Sequence, residues 1–210
     1  MEDQFTPGES FHGYRIERKL GEGGLGAVWL ARDVSNGVRF AVKALDKDVA
    51  ANNPEFVKRF LREAKLASRI RHPNLVAVHD IGYDDAKGLH YLVMDYVAGD
   101  TLRTAIAIGG PMQEREAAEI VLQVAGVLDA AGQHGLVHRD LKPENIMVTP
   151  GGMVRLLDLG VAKVSRAVDS LRTMASSVLG TPAYIATEQA VDSSAFDPRA
   201  DLYSLGVILF

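Results

Sequence analysis

From Tyr14 to about Asp95 the apolar residues fall in short, mostly alternating runs, the period-2 signature of strands with one buried face. Tyr14–Leu20, Ala27–Asp33 and Arg39–Leu45 read as three strands. They are joined by the glycine-rich stretch Gly21–Gly26 and by the pair Asn36-Gly37, a strong hairpin signal. A helix is predicted next: Asn53 can cap it, Pro54 suits its first turn, and Phe56, Phe60, Ala64 and Ala67 share one face. Leu75–Asp80 and His90–Asp95 read as two more strands. Beyond Gly99 the period lengthens to that of helices, a short one over Thr101–Ile108 and a long one over Pro111–His134. Ile146–Val148 and Val154–Leu157 are strand-like pieces on either side of the turn Pro150-Gly151-Gly152. From Asp158 to Ala190 there is little periodicity and many small or hydroxylated residues; a loop of that length is uncommon in a compact domain unless it is functional. A last helix begins near Asp201. The pattern predicts an α+β chain: an extension over 1–13, a small β-rich lobe with one helix over 14–97, a hinge near Asp95–Gly99, and a mostly helical lobe over 98–210.

Composition narrows the class. Apolar residues make up 47% and charged residues 24% of the 210, as in ordinary soluble domains. The net charge of −4 argues against nucleic-acid binding through bulk electrostatics. With no cysteine, disulfides, thiolate zinc sites and a thiol nucleophile are excluded. Met1 to Ser10 lacks the apolar core of a signal peptide, and no apolar run approaches the roughly 20 residues of a membrane span. The sequence ends at Phe210 inside the run Leu205-Gly206-Val207-Ile208-Leu209-Phe210. The expectation is therefore that the larger lobe is incomplete here.

Candidate chemistry sits in four places. Gly21-Glu22-Gly23-Gly24-Leu25-Gly26 fits G-x-G-x-x-G, a pattern that also marks plain turns and dinucleotide-binding loops. A dinucleotide loop needs a helix directly after the glycines, whereas Ala27-Val28-Trp29-Leu30-Ala31 favours a strand, so the glycines read as a hairpin flap over phosphates. Lys43 lies between apolar neighbours in its strand and, if it faces inward, needs an anion; Glu63, on the same helix face as Phe56 and Phe60, is the candidate. His138-Arg139-Asp140-Leu141-Lys142-Pro143-Glu144-Asn145 packs an acid, two bases and an amide into one short loop. Asp158-Leu159-Gly160 follows an apolar strand, and with Asn145 it supplies the oxygen donors that Mg²⁺ takes alongside phosphates.

In this order the motifs resemble the protein-kinase family, specifically the bacterial serine/threonine kinases of eukaryotic-like type, over Tyr14 to Phe210. The resemblance implies a bilobal fold, an antiparallel sheet with one helix above a helical lobe. It implies an ATP-dependent enzyme, using Mg²⁺ or Mn²⁺, that phosphorylates Ser and Thr hydroxyls of proteins. Residues Leu20, Gly21, Glu22, Gly23, Gly24, Leu25, Gly26, Ala27 and Val28 resemble the loop that covers the phosphates. Lys43 resembles the lysine of the α- and β-phosphates and Glu63 its ion-pair partner. Asp140 matches the catalytic aspartate, Lys142 the γ-phosphate lysine, and Asn145 and Asp158 the metal ligands. Met94 resembles the gatekeeper, Asp95-Tyr96-Val97 the adenine-binding hinge, and Val28, Ala41 and Met147 the residues that sandwich the purine. Asp201 resembles the aspartate that holds the catalytic loop, and Gly180-Thr181-Pro182-Ala183-Tyr184 the substrate-receiving loop. Arg139 resembles the arginine that receives an activation-loop phosphate, which makes Thr173, with Ser176 or Ser177, the expected autophosphorylation site.

The sequence departs from the family at three points: Leu159 stands for Phe, Ala186-Thr187-Glu188 for Ala-Pro-Glu, and the later helices are absent. The last departure leaves open a catalytically weak or silent binding module of the same fold. Partners implied are ATP and Ser/Thr-bearing proteins, with a homodimer and a downstream membrane anchor compatible with the family. The implied location is the cytoplasm or its membrane face.

Overall fold

Alternation in the first half of the chain is realised as a six-stranded antiparallel sheet; the structure, a computed structural model, describes residues 4–159, 184–186 and 197–210. Its strands are β1 (Ser10–Phe11), β2 (Tyr14–Gly23), β3 (Gly26–Asp33), β4 (Arg39–Leu45), β5 (Val78–Asp84) and β6 (Leu89–Asp95), in the order β1-β2-β3-β4-β6-β5. The Asn36-Gly37 hairpin forms as predicted, with Gly37 at φ +75° and the Gly37 amide donating to Asp33 O at 2.8 Å.

The two faces of this sheet have different tasks. Ala27, Trp29, Ala31, Val42 and Ala44 point to one side and pack with Phe5, Phe11 and Tyr91. On the other side Leu45 and Leu92 meet the helix, while Val28, Ala41 and Met94 face the cleft between the lobes. Alternation therefore divides the apolar residues of β3 and β4 between the core and the cleft, while Arg32 and Arg39 at their ends pair with Glu17 on the surface.

Two helices, not one, follow β4. α1 (Lys47–Asn52) is short and is nucleated by Asp46, whose carboxylate accepts the Val49 amide at 2.9 Å. α2 (Pro54–Ala67) is the predicted helix and buries Phe56, Phe60, Glu63 and Ala64. Asn53 does not cap α2 with its side chain. Its Nδ2 donates to Val49 O at 3.1 Å and so closes α1 instead.

The predicted strand Leu75–Asp80 lies further along, at Val78–Asp84. Leu75 and Val76 are apolar for another reason: Leu75 enters the core of the larger lobe, Val76 lines the cleft, and the Val76 amide donates to Leu156 O at 3.0 Å.

In the larger lobe a small sheet of β7 (Asp100–Thr101), β8 (Ile146–Val148) and β9 (Val154–Leu156) lies beneath the cleft. Gly99 permits the approach of β7 to β8, since a Cβ there would lie 2.3 Å from Val148 O. α3 (Leu102–Gly109) is capped by Thr101. α4 (Glu114–Gln133) buries Ile120, Val124, Val127 and Ala131 at helical spacing and starts later than Pro111. α5 (Arg199–Leu209) adds Leu205 to the same core.

Residues ahead of Tyr14 belong to the packed structure. Phe5 is 1% exposed, its ring edge-on to Phe11 at 4.6 Å and to Trp29 at 5.8 Å. Replacing Phe5 with Ala is expected to destabilise the small lobe by about 3 kcal/mol, through lost burial and a residual cavity. Urea unfolding followed by Trp29 fluorescence checks this; an unchanged midpoint would show that the segment is dispensable.

Candidate active site

The glycine motif forms a hairpin. Gly21 pairs with Val28, Glu22 with Ala27 and Gly23 with Gly26, leaving Gly24 and Leu25 at the tip, and β3 follows directly. The geometry is that of a flap and not of a dinucleotide loop. Gly26 has a positional requirement beyond flexibility: at φ +137° its Cβ would lie 2.0 Å from Ala44 O. The lack of a side chain there lets β3 and β4 close, and the Asp46 amide then donates to Leu25 O at 2.8 Å.

Beneath the hairpin lies a cavity of 440 Å³. Leu20, Gly21, Val28 and Ala41 form its upper wall, Met94 to Val97 its back edge, and Met147 with Leu157 its floor, with Asp158 at one end. Of the predicted nucleotide residues, Ala27 turns its side chain into the opposite core and offers the cavity only backbone. Glu22, Gly23, Gly24, Leu25 and Gly26 sit at the flap tip, outside the cavity wall; Glu22 pairs with Lys19 at 2.9 Å, and Leu25 packs toward α1 and α2.

The His138–Asn145 motif is held from below by a buried carboxylate. Asp201 on α5 accepts the His138 amide at 2.6 Å and the Arg139 amide at 2.8 Å, and Arg139 adopts φ +68°. His138 is fully buried. Its Nε2 lies 2.8 Å from Leu157 O and must donate there, which leaves Nδ1 to accept the Asp140 amide at 3.4 Å. Asn145 Nδ2 donates to Asp140 O at 2.8 Å and Oδ2 at 3.3 Å, and Lys142 Nζ lies 2.7 Å from Asp140 Oδ2. The Leu157 amide donates to Asn145 O at 2.9 Å. Asp140, Lys142, Asn145 and Asp158 are thereby gathered beside the cavity.

The ion pairs differ from the predicted ones. Lys43 Nζ pairs with Asp158 Oδ2 at 2.8 Å and not with Glu63. Glu63, buried on α2, faces the Arg139 guanidinium at 3.6 Å. The reason is local backbone geometry. Asp158 at φ +53° turns its carboxylate up to the lysine, and left-handed Arg139 sends its guanidinium toward the buried glutamate, so each charge meets an opposite one. Burial raises the Asp158 carboxyl, but the Lys43 charge and hydrogen bond, with lesser help from His138 and Lys142, outweigh it and hold the group below the usual carboxylate range.

Periodicity carries no sign of the polar ties behind the cavity. Asn74 Nδ2 donates to Val154 O at 2.8 Å and to Gln123 Oε1 at 2.7 Å, and the Leu156 amide donates to Asn74 O at 2.7 Å. The Asp95 carboxylate, unassigned in the hinge reading, accepts from His79 Nε2 at 2.6 Å, from the Ala77 amide at 3.2 Å and from Arg155 Nη2. An arginine inside the predicted strand Val154–Leu157 is the one signal of it in the sequence. Gly160, Arg166, Arg172, Thr173, Ser176, Ser177, Gly180, Thr181, Pro182, Ala183, Thr187 and Glu188 lie outside the described residues.

The protein kinase domain family matches residues 14–210. Among curated proteins, the chain is 42% identical over 199 residues to serine/threonine-protein kinase PknA of Mycobacterium tuberculosis, covering 93% of this chain and 45% of that protein. It is 39% identical over 197 residues to PrkC of Bacillus subtilis, covering 94% and 30%. The chain thus spans less than half the length of these relatives. The crystal structure of the Mycobacterium tuberculosis PknI kinase domain superposes with a TM-score of 0.77 at 34% identity, over 98% of this chain and 75% of that one.

The lowered Asp158 carboxyl has a definite pH consequence. Its folded pKa lies below the reference value of 3.8, so the stabilisation by Lys43 is complete above that value and is lost as pH falls through the folded one. Asp158→Asn is expected to cost about 1 kcal/mol near neutrality. The gap to the parent should narrow as pH falls below the reference value through the lower folded one. Urea unfolding across that range checks it; a gap independent of pH would contradict the pairing.

Proposed function

This chain belongs to the protein kinase family, and on that premise we propose that it transfers the γ-phosphate of ATP to Ser and Thr hydroxyls of proteins in the cytoplasm. The observation that supports this most is one juxtaposition. A slot with apolar upper and lower walls, suited to a purine, opens at Asp158 onto Lys43, Asp140, Lys142 and Asn145.

Hinge backbone at Asp95 and Val97 would hydrogen-bond the adenine edge, with Val28, Ala41 and Met147 on its faces and Met94 behind. Asp140 orients the attacking hydroxyl and accepts its proton, while Lys142, 2.7 Å away, supplies positive charge where charge develops on the transferred group. Asn145 commits its amide nitrogen to Asp140 and so has its oxygen left as a donor to a cation. With a carboxylate oxygen of Asp158 this makes a hard-donor pair that fits Mg²⁺ or Mn²⁺, which when bound would supply neutralisation of phosphate charge. Asp158, if it held such a cation, would release Lys43, which would then be available to the α- and β-phosphates. Nucleotide binding and the exchange of the Lys43 partner are coupled in this reading.

Two substitutions separate the roles. In the full-length protein, Asp140→Asn should lower phosphoryl transfer to a generic protein substrate by a factor of about 100 or more while ATP affinity stays near the parent's. Lys43→Met should lower the rate at least about tenfold, equivalent to about 1.4 kcal/mol of barrier. An Asp140→Asn variant that retains its turnover overturns the catalytic reading.

Activation follows the same electrostatics. A phosphate carries about −1.5 to −2 charge and competes with Glu63 for Arg139, which would release Glu63 toward Lys43. Autophosphorylation at Thr173, with Ser176 or Ser177, is expected to raise activity. Mass spectrometry after incubation with ATP and Mg²⁺, beside a Thr173→Ala variant, tests it; an unmodified loop or an equally active variant contradicts it.

A further inference from the structure

The Asp95 carboxylate, on a residue that lines the edge of the slot, is where groups from both lobes meet. His79 on β5 offers Nε2 to Oδ1 at 2.6 Å; because a carboxylate only accepts, that nitrogen carries the proton. Oδ2 takes the Ala77 amide at 3.2 Å and Arg155 Nη2 from β9. The Asp95 amide donates to Ala77 O at 3.0 Å, so Ala77 is bonded to both the backbone and the side chain of the hinge residue. The neighbours of Arg155 extend the connection. Leu156 bonds to Asn74 and Val76 through its amide and carbonyl, and Arg155 is the register partner of Met147, which forms the cavity floor. His79 is braced in turn, its ring edge-on to Phe40 at 5.1 Å, and Phe40 is the register partner of Asp95 in β4.

These contacts form a closed circuit: hinge, loop before β5, floor hairpin, and back to the hinge through one ion pair. The other connections are backbone or amide bonds inside or between sheets. The Asp95–Arg155 pair is the link that joins the hinge directly to the floor. Among the described residues Arg155 Nε has no hydrogen-bond partner, so the guanidinium is retained by this pair.

We propose that Arg155 is a positioning residue for the nucleotide: through Asp95, and with His79 as a brace, it fixes the height of the floor relative to the hinge backbone and so sets the fit of the purine. The inference rests on the nucleotide-binding reading above. Arg155 sits opposite Met147 in the floor hairpin and pairs with the hinge residue Asp95, so its influence falls on the base side of the ligand. Loosening the circuit leaves Lys43, Asn145 and Asp158 in place and widens the slot that grips the ring.

The test is equilibrium binding of ATP, ADP and adenosine to the chain, by displacement of a fluorescent adenine nucleotide. Arg155→Met is expected to weaken all three ligands alike, by about fivefold, with unchanged binding stoichiometry. Arg155→Lys should fall between, and the double variant Asp95→Asn/Arg155→Met should bind no more weakly than Asp95→Asn alone, because both remove the same link. Three results overturn the proposal: all affinities within about twofold of the parent in Arg155→Met, a loss confined to ATP and ADP, or additive losses in the double variant. A parent chain that binds none of the three ligands overturns this inference together with the nucleotide reading. A parent that binds them but transfers no phosphate overturns the catalytic reading alone and leaves the positioning role to be decided by the affinities.

Discussion

The carboxylate of Asp201 is the constraint on which the site depends. It is 4% exposed, enters from α5, and spends one oxygen on the His138 amide and the other on that of Arg139. Arg139 at positive φ costs about 1–3 kcal/mol. Hydrogen bonds to a charged acceptor contribute about 1.5–3 kcal/mol each, enough to offset it. Once those amides are fixed, the His138 ring is placed to donate to Leu157 O, which positions the residue before Asp158. On the other side the turn at Arg139 delivers Asp140. One buried anion, distant in sequence, therefore sets both acidic groups of the proposed chemistry.

Charge in the cleft follows from that geometry. Lys43 pairs with Asp158, Lys142 with Asp140, and Arg139 with Glu63, so three cations and three anions converge where a triphosphate would enter. Isolated charges in so enclosed a place would be costly. Matched ones can exchange partners at small net cost, because a phosphate replaces one anion by another without stripping a new cation of water. Pairing in this structure and catalysis in the proposed reaction thus use the same side chains in different combinations.

What the sequence disclosed and what it hid divide along physical lines. Elements defined by local periodicity were legible: the Asn36-Gly37 hairpin, β3 and β4, α2 and the long α4 fall where alternation and helical spacing put them. The glycine motif was resolved from its rivals by the β-favouring residues after Gly26. Elements that depend on a distant partner were not legible. α1 is hidden for a local reason instead: its cap, Asp46, reads as an ordinary aspartate at a strand end. Leu75 and Val76 alternate like a strand but are bonded to β9 instead, a contact between residues distant in the chain. The partner of Lys43 turned on the backbone of Asp158, which sequence alone does not display. The ion pair of Asp95 with Arg155 left no periodic trace at all, since either residue alone reads as a solvated charge.

The segment before β5 ties the floor of the cavity to the smaller lobe. Residues 74–77 leave α2 without joining the upper sheet at once. They run beside β9 first, exchanging backbone bonds with Leu156, and only then enter β5. The smaller lobe is consequently bonded to the larger one by more than the covalent hinge, and the bonded partner is the hairpin that carries Met147. In the proposed reading, a purine between Val28 and Ala41 above and Met147 below would be gripped by surfaces that hydrogen bonds hold in register. α2 meets the His138–Asn145 loop through a side-chain pair, Glu63 to Arg139. In the proposed reading the slot for the base would be set by backbone bonds together with the Asp95–Arg155 pair, and the grip on the phosphates would be left to exchangeable ion pairs.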